Sequence, residues 1–226
     1  MQTRNATAPS LGSTLGRNLR AGFTLIELLA VMLIIGILMT FLLPKASAAI
    51  ERARVTACRA NLQKIGTGLV SYQAQYDRWP RRGGVGFFSA LVYEKVWDQS
   101  EADSETMSCP SIDSNYLTPA LEGIPMEEWY AERDRIDGGY SAYAGRDIKN
   151  HPLRKKNLDS NVILVADDND GGANHKTSTN VLYGNFGART IEFMNEVDAG
   201  NVTEEDEFIR VGPDSPIEAL RVLTLN

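Results

Sequence analysis

Apolar and polar positions divide the chain into three stretches. From residue 23 to residue 43 runs a continuous apolar segment of 21 residues in which Glu27 is the only charged side chain. As an α-helix rising ~1.5 Å per residue it spans about 30 Å, the thickness of a bilayer's hydrocarbon core. The pattern predicts one membrane-spanning helix with a carboxylate near its start. An ionised carboxylate in hydrocarbon costs on the order of several kcal/mol, so its presence there marks a functional position.

Pro44 and Lys45 end the run, and a second pattern begins at once. Val55, Cys58, Leu62, Ile65, Leu69, Tyr72 and Tyr76 follow one another at spacings of 3, 4, 3, 4, 3 and 4, the apolar face of an amphipathic helix. Arg52, Arg59, Gln63 and Lys64 fall off that face. The two patterns together predict one helix from about residue 23 to 76, roughly 80 Å long if unbroken. Pro44 lacks a backbone donor and is expected to kink or loosen it, the alternative being a proline simply tolerated at the membrane interface. Gly66 and Gly68 each weaken a helix by about 1 kcal/mol, but the apolar face runs through them, so they are read as permitting close packing.

Beyond residue 76 the periods shorten. Arg81-Arg82-Gly83-Gly84 reads as a turn and residues 87–96 as a short helix. Residues 98–138, rich in Asp, Glu, Ser and Pro, read as a long loop with one helical turn near 126–132. Strand signals follow at 140–143, 161–166, 180–183 and 188–193, the last two bracketing a Gly-Asn-Phe-Gly turn, with an edge strand in the tail from 211 to 226. The expected fold is α+β: a long N-terminal helix, its first half in the membrane, packed on a small antiparallel sheet. Trp79, Phe87, Phe88 and Trp97 are expected in the core.

Charge follows the same division. The net charge of −6 splits into +6 over residues 1–76 and −12 over residues 77–226. An acidic head disfavours nucleic acid, whose binding rests on neutralising phosphates. Arg4, Arg17 and Arg20 precede the apolar run while Lys45, Arg52, Arg54 and Arg59 follow it, so a count of positive charges does not orient the span.

Arg20-Ala21-Gly22-Phe23-Thr24-Leu25-Ile26-Glu27-Leu28-Leu29 resembles the processing site of type IV pilins and type II secretion pseudopilins. The resemblance implies a leader of residues 1–22, cleaved between Gly22 and Phe23 by a prepilin peptidase, with N-methylation of the new terminal Phe23. It implies a transmembrane helix at 23–43, a stalk helix at 44–76 and a periplasmic or extracellular head at 77–226. Glu27 would guide assembly into a helical filament, pairing with the amino group of a neighbour's Phe23, and Pro44 would match the kinking proline of many pilins. The implied setting is a bacterial inner membrane crossed once. The implied partners are copies of the same chain, other pilins or pseudopilins, an assembly platform and a secretion ATPase.

Two subfamilies share the rest. Residues 53–62, with Tyr72 and Tyr76-Asp77-Arg78-Trp79-Pro80, resemble the major pseudopilin of type II secretion. The head resembles pilin-like proteins with a C-terminal His-x9-Asp-Gly pattern, through Cys58-Arg59-Ala60-Asn61-Leu62, Cys109-Pro110-Ser111, the strand ending at Asp167, and His175. Nine residues after His175, Asn185-Phe186-Gly187 replaces the Asp-Gly.

Several constellations remain. Cys58 and Cys109 are the only cysteines, and a head in an oxidising compartment favours a disulfide between them; two buried thiols and a two-cysteine metal site are the alternatives. Asp167, Asp168 and Asp170 are weak calcium candidates, since major pseudopilins bind calcium, but Gly171 breaks the EF-hand spacing; a solvated polar turn with Asp167 bonding backbone amides competes. No other cofactor is expected. His175 is read as capping a hairpin, and Arg146, Lys149, Arg154, Lys155 and Lys156 as a solvated or subunit-contact face. No zinc or hydrolase motif accompanies the histidines, so the chain reads as non-enzymatic. The reading is a structural filament subunit, a pseudopilin building a periplasmic pseudopilus for protein secretion. A type IV pilin for adhesion, motility or DNA uptake and a membrane-anchored, non-polymerising binding domain are the alternatives.

Overall fold

The computed structural model describes residues 23–112, 117, 123–154, 158–167 and 172–226. Helix α1 runs from Leu25 to Tyr76 as one 52-residue element, continuous through position 44. The chain forms two compact units that divide at residues 46 and 47, so α1 contributes to both.

In the N-terminal unit every described side chain from residue 23 to 43 is exposed, including Leu33, Ile34, Phe41 and Leu42. By length and composition this part of α1 is able to cross a membrane. A helix apolar on all sides is stable only where lipid or other helices cover it.

In the second unit the heptad-like face of α1 behaves as its spacing predicts. Cys58, Leu62, Ile65, Leu69 and Tyr72 are fully buried, while Val55 and Tyr76 at the two ends are half-buried. Asp77 ends the helix in a left-handed conformation (φ 57°), and the chain turns through Trp79-Pro80 into helix α2, Val85–Tyr93. Of α2 all but Tyr93 is buried, which explains an apolar run without helical periodicity.

Residues 98–138 are more structured than their composition suggests. Helix α3, Glu101–Thr106, is capped by Ser100, whose Oγ accepts from Asp103 N at 3.1 Å. Single 3-10 turns follow at Met126–Glu128, Arg133–Arg135 and Gly138–Tyr140.

The sheet contains β1 (Tyr143–Arg146), β2 (Ile163–Asp167), β3 (Ser178–Tyr183), β4 (Ala188–Glu192) and β5 (Leu223–Thr224), in the order β4-β3-β2-β1-β5 with every pairing antiparallel. The tail supplies an edge strand, as expected. The first strand begins at Tyr143 instead of 140, because Tyr140 closes a 3-10 turn and its carbonyl accepts from the Tyr130 hydroxyl at 2.6 Å. A short helix α4, Phe193–Asp198, follows β4.

Core residues lie on both faces of the sheet. Leu164, Val165, Leu182 and Tyr143 join the core formed with α1 and α2, while Ile163, Ala166, Val181 and Ala144 pack with Ile209, Leu220 and Leu223 of the C-terminal segment. Burial on both faces is why central β2 reads as an unbroken apolar run. Trp79, Phe87 and Phe88 lie in the core and Trp97 packs against it, as the sequence predicts.

Candidate functional site

Two sites emerge, one in each unit. At the start of α1, Phe23 is 78% exposed. Glu27 Oε2 accepts from Thr24 N at 2.9 Å and from Thr24 Oγ1 at 2.6 Å, while Thr24 Oγ1 lies 3.3 Å from Glu27 N as its acceptor. This reciprocal arrangement is a capping box, which satisfies amides that a helix start leaves without partners. The Thr-x-x-Glu spacing signals it in the sequence, although the apolar pattern alone does not. The carboxylate therefore sits at a defined point on an exposed helix and has an internal partner. Gly22 lies outside the described residues.

The second site lies where α1 meets the sheet, in the second unit. Cys58 from α1, Cys109 from the segment after α3, Asp167 at the end of β2 and His175 before β3 bring one donor atom each to within 4.8 Å of one another. All four residues are buried. Cys109 Sγ stands 3.4 Å from His175 Nε2, and Cys58 Sγ stands 2.5 Å from Asp167 Oδ1 and 3.4 Å from the Tyr143 hydroxyl. His175 Nε2 lies 3.8 Å from Asp167 Oδ2.

Surrounding groups fix these side chains. Asp167 Oδ2 accepts from Asn180 N at 2.9 Å and from Asn180 Nδ2 at 3.0 Å; Asn180 also donates to the Val55 carbonyl and accepts from Thr190. His175 Nδ1 is 3.3 Å from Ser111 Oγ and 3.4 Å from Glu51 Oε1, a buried oxygen that makes no hydrogen bond of its own.

Electrostatics follow from this crowding. Burial pushes the Asp167 carboxyl up to about 6, and the charge of Cys109 adds to the effect. Burial likewise pushes the Cys58 thiol up. The hydrogen bond with Cys58 pulls the Cys109 thiol down against its own burial, and His175 pulls in the same direction. Burial draws the His175 imidazole down, but the hydrogen bond and charge of Cys109 outweigh it and leave its pKa raised.

Set against the sequence, the structure brings Cys58 and Cys109 together as two free, buried thiols, a convergence without the bond between them. Asp167 does bond a backbone amide, that of Asn180. Asp168 and Asp170 lie outside the described residues. His175 lies in the connection between the antiparallel strands β2 and β3, buried beside Cys109 and Asp167, while the β3–β4 turn at residues 184–187 closes on its own Asn185, whose Oδ1 accepts from Gly187 N. Arg146 is half-buried, donating to the carbonyls of His151 and Ile163, so it is a structural residue and not part of a free basic face. Lys155 and Lys156 lie outside the described residues. The sequence carries no sign that Glu51, Tyr143 and Asn180 belong to this cluster, because nothing in their local spacing ties them to the cysteines.

Comparison with known proteins bears on the first site. The family described as "Prokaryotic N-terminal methylation motif" matches residues 17–43. The "Type IV major pilin protein PilE" of Neisseria gonorrhoeae is 25% identical over 173 residues, covering 75% of this chain and 98% of that protein. A "Fimbrial protein" of Neisseria meningitidis serogroup A is 24% identical over 162 residues, 71% of this chain and 94% of that one. The "Competence protein ComGC" of Halalkalibacterium halodurans is 36% identical over 61 residues, 27% of this chain and 60% of that protein. No solved structure matches.

Proposed function

The chain is a protein of the type IV pilin and pseudopilin family, and from that premise we propose that its filament is a pseudopilus serving protein secretion. The methylation motif and the relatives named as a type IV pilin and a fimbrial protein support a pilin-like filament subunit. The observation that carries the assembly mechanism is the exposed apolar helix with one carboxylate: residues 23–43 expose every described side chain, and Glu27 is their only charge.

Cleavage after Gly22 frees an amino group on Phe23. In lipid that ammonium and the Glu27 carboxylate are both costly to bury as charges. Packing helices side by side lets Glu27 of one subunit meet the amine of the next, while the apolar faces stay covered. The Thr24 cap holds Glu27 at a fixed place on the helix until that exchange. Attachment by a single span in a bacterial inner membrane, with the head on the far side, belongs to the same proposal.

The secretion setting is supported by the resemblance of residues 53–62 and 72–80 to the major pseudopilin. The similarity to PilE over 75% of this chain and 98% of that protein favours a second reading, a type IV pilus. Deleting the gene separates them: a secretion pseudopilin predicts exoproteins trapped in the periplasm with adhesion and surface motility intact, and the reverse outcome establishes the pilus reading. Reintroducing the chain as Glu27→Leu should restore neither phenotype; full restoration would remove Glu27 from assembly.

A further inference from the structure

We propose that Cys58, Cys109, Asp167 and His175 form a closed structural site for one zinc-class divalent cation, which ties the sheet and the Cys109 segment to helix α1. The inference concerns the head of the protein and is independent of which filament the chain builds.

The donor set is the first reason. Two thiols, an imidazole and a carboxylate match the S, N and O ligands that tetrahedral zinc accepts. With metal–ligand lengths of about 2.0–2.3 Å, tetrahedral geometry separates neighbouring ligand atoms by roughly 3.3–3.8 Å. The Cys109 Sγ–His175 Nε2 separation of 3.4 Å falls in that range, Cys58 Sγ and Asp167 Oδ1 at 2.5 Å must part to span an ion, and one donor atom of each residue lies within 4.8 Å of the others.

The surrounding groups are the second reason. A metal-binding histidine offers one ring nitrogen to the ion and gives the other to a carboxylate or carbonyl. Here Nδ1 faces Glu51 Oε1 and Ser111 Oγ, leaving Nε2 turned toward Cys109 and Asp167. Glu51 Oε1 is buried without a hydrogen bond, which a protonated Nδ1 at 3.4 Å would relieve. Asn180 holds Asp167 by Oδ2 and so presents Oδ1 to the cluster.

Closure is the third. The four donors sit in a site shut off from solvent, and a dication bound there would hold both sulfurs as thiolates, their protons being released as it binds. With four protein ligands and burial on every side there is no open position for water or substrate, so the ion's role is structural and not catalytic.

The test uses the full chain, purified in detergent from cells without chelator. Metal analysis is expected to give about one zinc per chain with both thiols unoxidised by intact mass. Replacement by Co²⁺ should produce thiolate charge-transfer and tetrahedral d–d bands, a readout that needs no variant. His175→Ala and Cys109→Ser should lose those bands, and Glu51→Gln should weaken metal retention by about tenfold. A Cys58–Cys109 disulfide that takes up no metal after reduction would overturn the proposal. So would a reduced, folded chain that gives no cobalt bands, or variants that retain the metal unchanged.

Discussion

Thr24 and Glu27 hold each other at the start of α1, Thr24 donating twice to the Glu27 carboxylate and accepting the Glu27 amide in return. Glu27 thus has two separable properties, a capping acceptor and a negative charge. Glu27→Gln keeps a side chain suited to the capping box and removes the charge; Thr24→Ala removes the cap at a cost of about 1 kcal/mol and keeps the charge. Filament yield, counted by electron microscopy at matched expression, should collapse in Glu27→Gln and persist in Thr24→Ala. The opposite ranking would make the cap, and not the charge, the assembly determinant.

Gly66 lets the β3–β4 hairpin touch the helix. A Cβ at this position would stand 2.9 Å from the Phe186 carbonyl oxygen and 2.9 Å from Leu182 Cδ1. Alanine improves helix propensity by about 1 kcal/mol, yet overpacking against backbone costs about 1–3 kcal/mol. Gly66→Ala is expected to lower the urea midpoint of the head with an unchanged slope. A raised midpoint would show that the hairpin yields freely.

Gln63 fastens the same hairpin from the neighbouring turn of α1, donating to the Phe186 carbonyl at 2.7 Å and accepting from Ala188 N at 3.0 Å. Gln63→Ala removes both bonds at an exposed position, so global stability should fall by only about 1 kcal/mol. The amide of Ala188 should exchange with deuterium markedly faster while amides within α2 do not change. Uniform acceleration across the head would mean that the contact belongs to the global fold.

Asn180 links three elements, reaching Asp167, the Val55 carbonyl and Thr190. Truncation leaves a buried carboxylate short of a donor, a class of change that costs about 1–3 kcal/mol and more when the group is charged. Asn180→Ala should therefore lower the thermal midpoint more than Gln63→Ala does, although both replace an amide side chain. Equal losses would place the burden of holding Asp167 elsewhere.

Arg78 and Glu94 join the end of α1 to α2. The guanidinium donates to the carboxylate at 2.6 Å and lies over the rings of Tyr72 and Tyr76, while the Tyr72 hydroxyl donates to the same carboxylate at 2.9 Å. Both charged side chains are partly exposed, so screening limits the pair to about 1 kcal/mol. Glu94→Gln should destabilise by that order in low salt and by less at high salt. A salt-independent loss would indicate that packing, not charge, is what Glu94 supplies.

What could be read in the sequence depended on the range of the interaction. The apolar face of α1, from Cys58 to Tyr72, appears as a 3–4 spacing because helix geometry repeats locally. The β3–β4 hairpin announces itself through Gly184-Asn185-Phe186-Gly187, where Phe186 takes a φ of 60°. Helix α3 was hidden because six residues are too few to show a period, and only Ser100 and Asp103 mark its start. The four-residue cluster was the least legible: Cys58, Cys109, Asp167 and His175 come from four separate segments, and their distances are set by sheet register and helix packing, not by spacing along the chain. Asp167 and His175 were visible as residues, but their meeting with the cysteines was not.

The measurement that bears most directly on the central claim is the intact N-terminus of the mature protein taken from its own cells. Tandem mass spectrometry of the assembled filament fraction should find a chain beginning at Phe23 and carrying a single methyl group on the terminal nitrogen, with residues 1–22 absent. A chain in that fraction that retains Met1, or begins anywhere other than Phe23, would contradict the account.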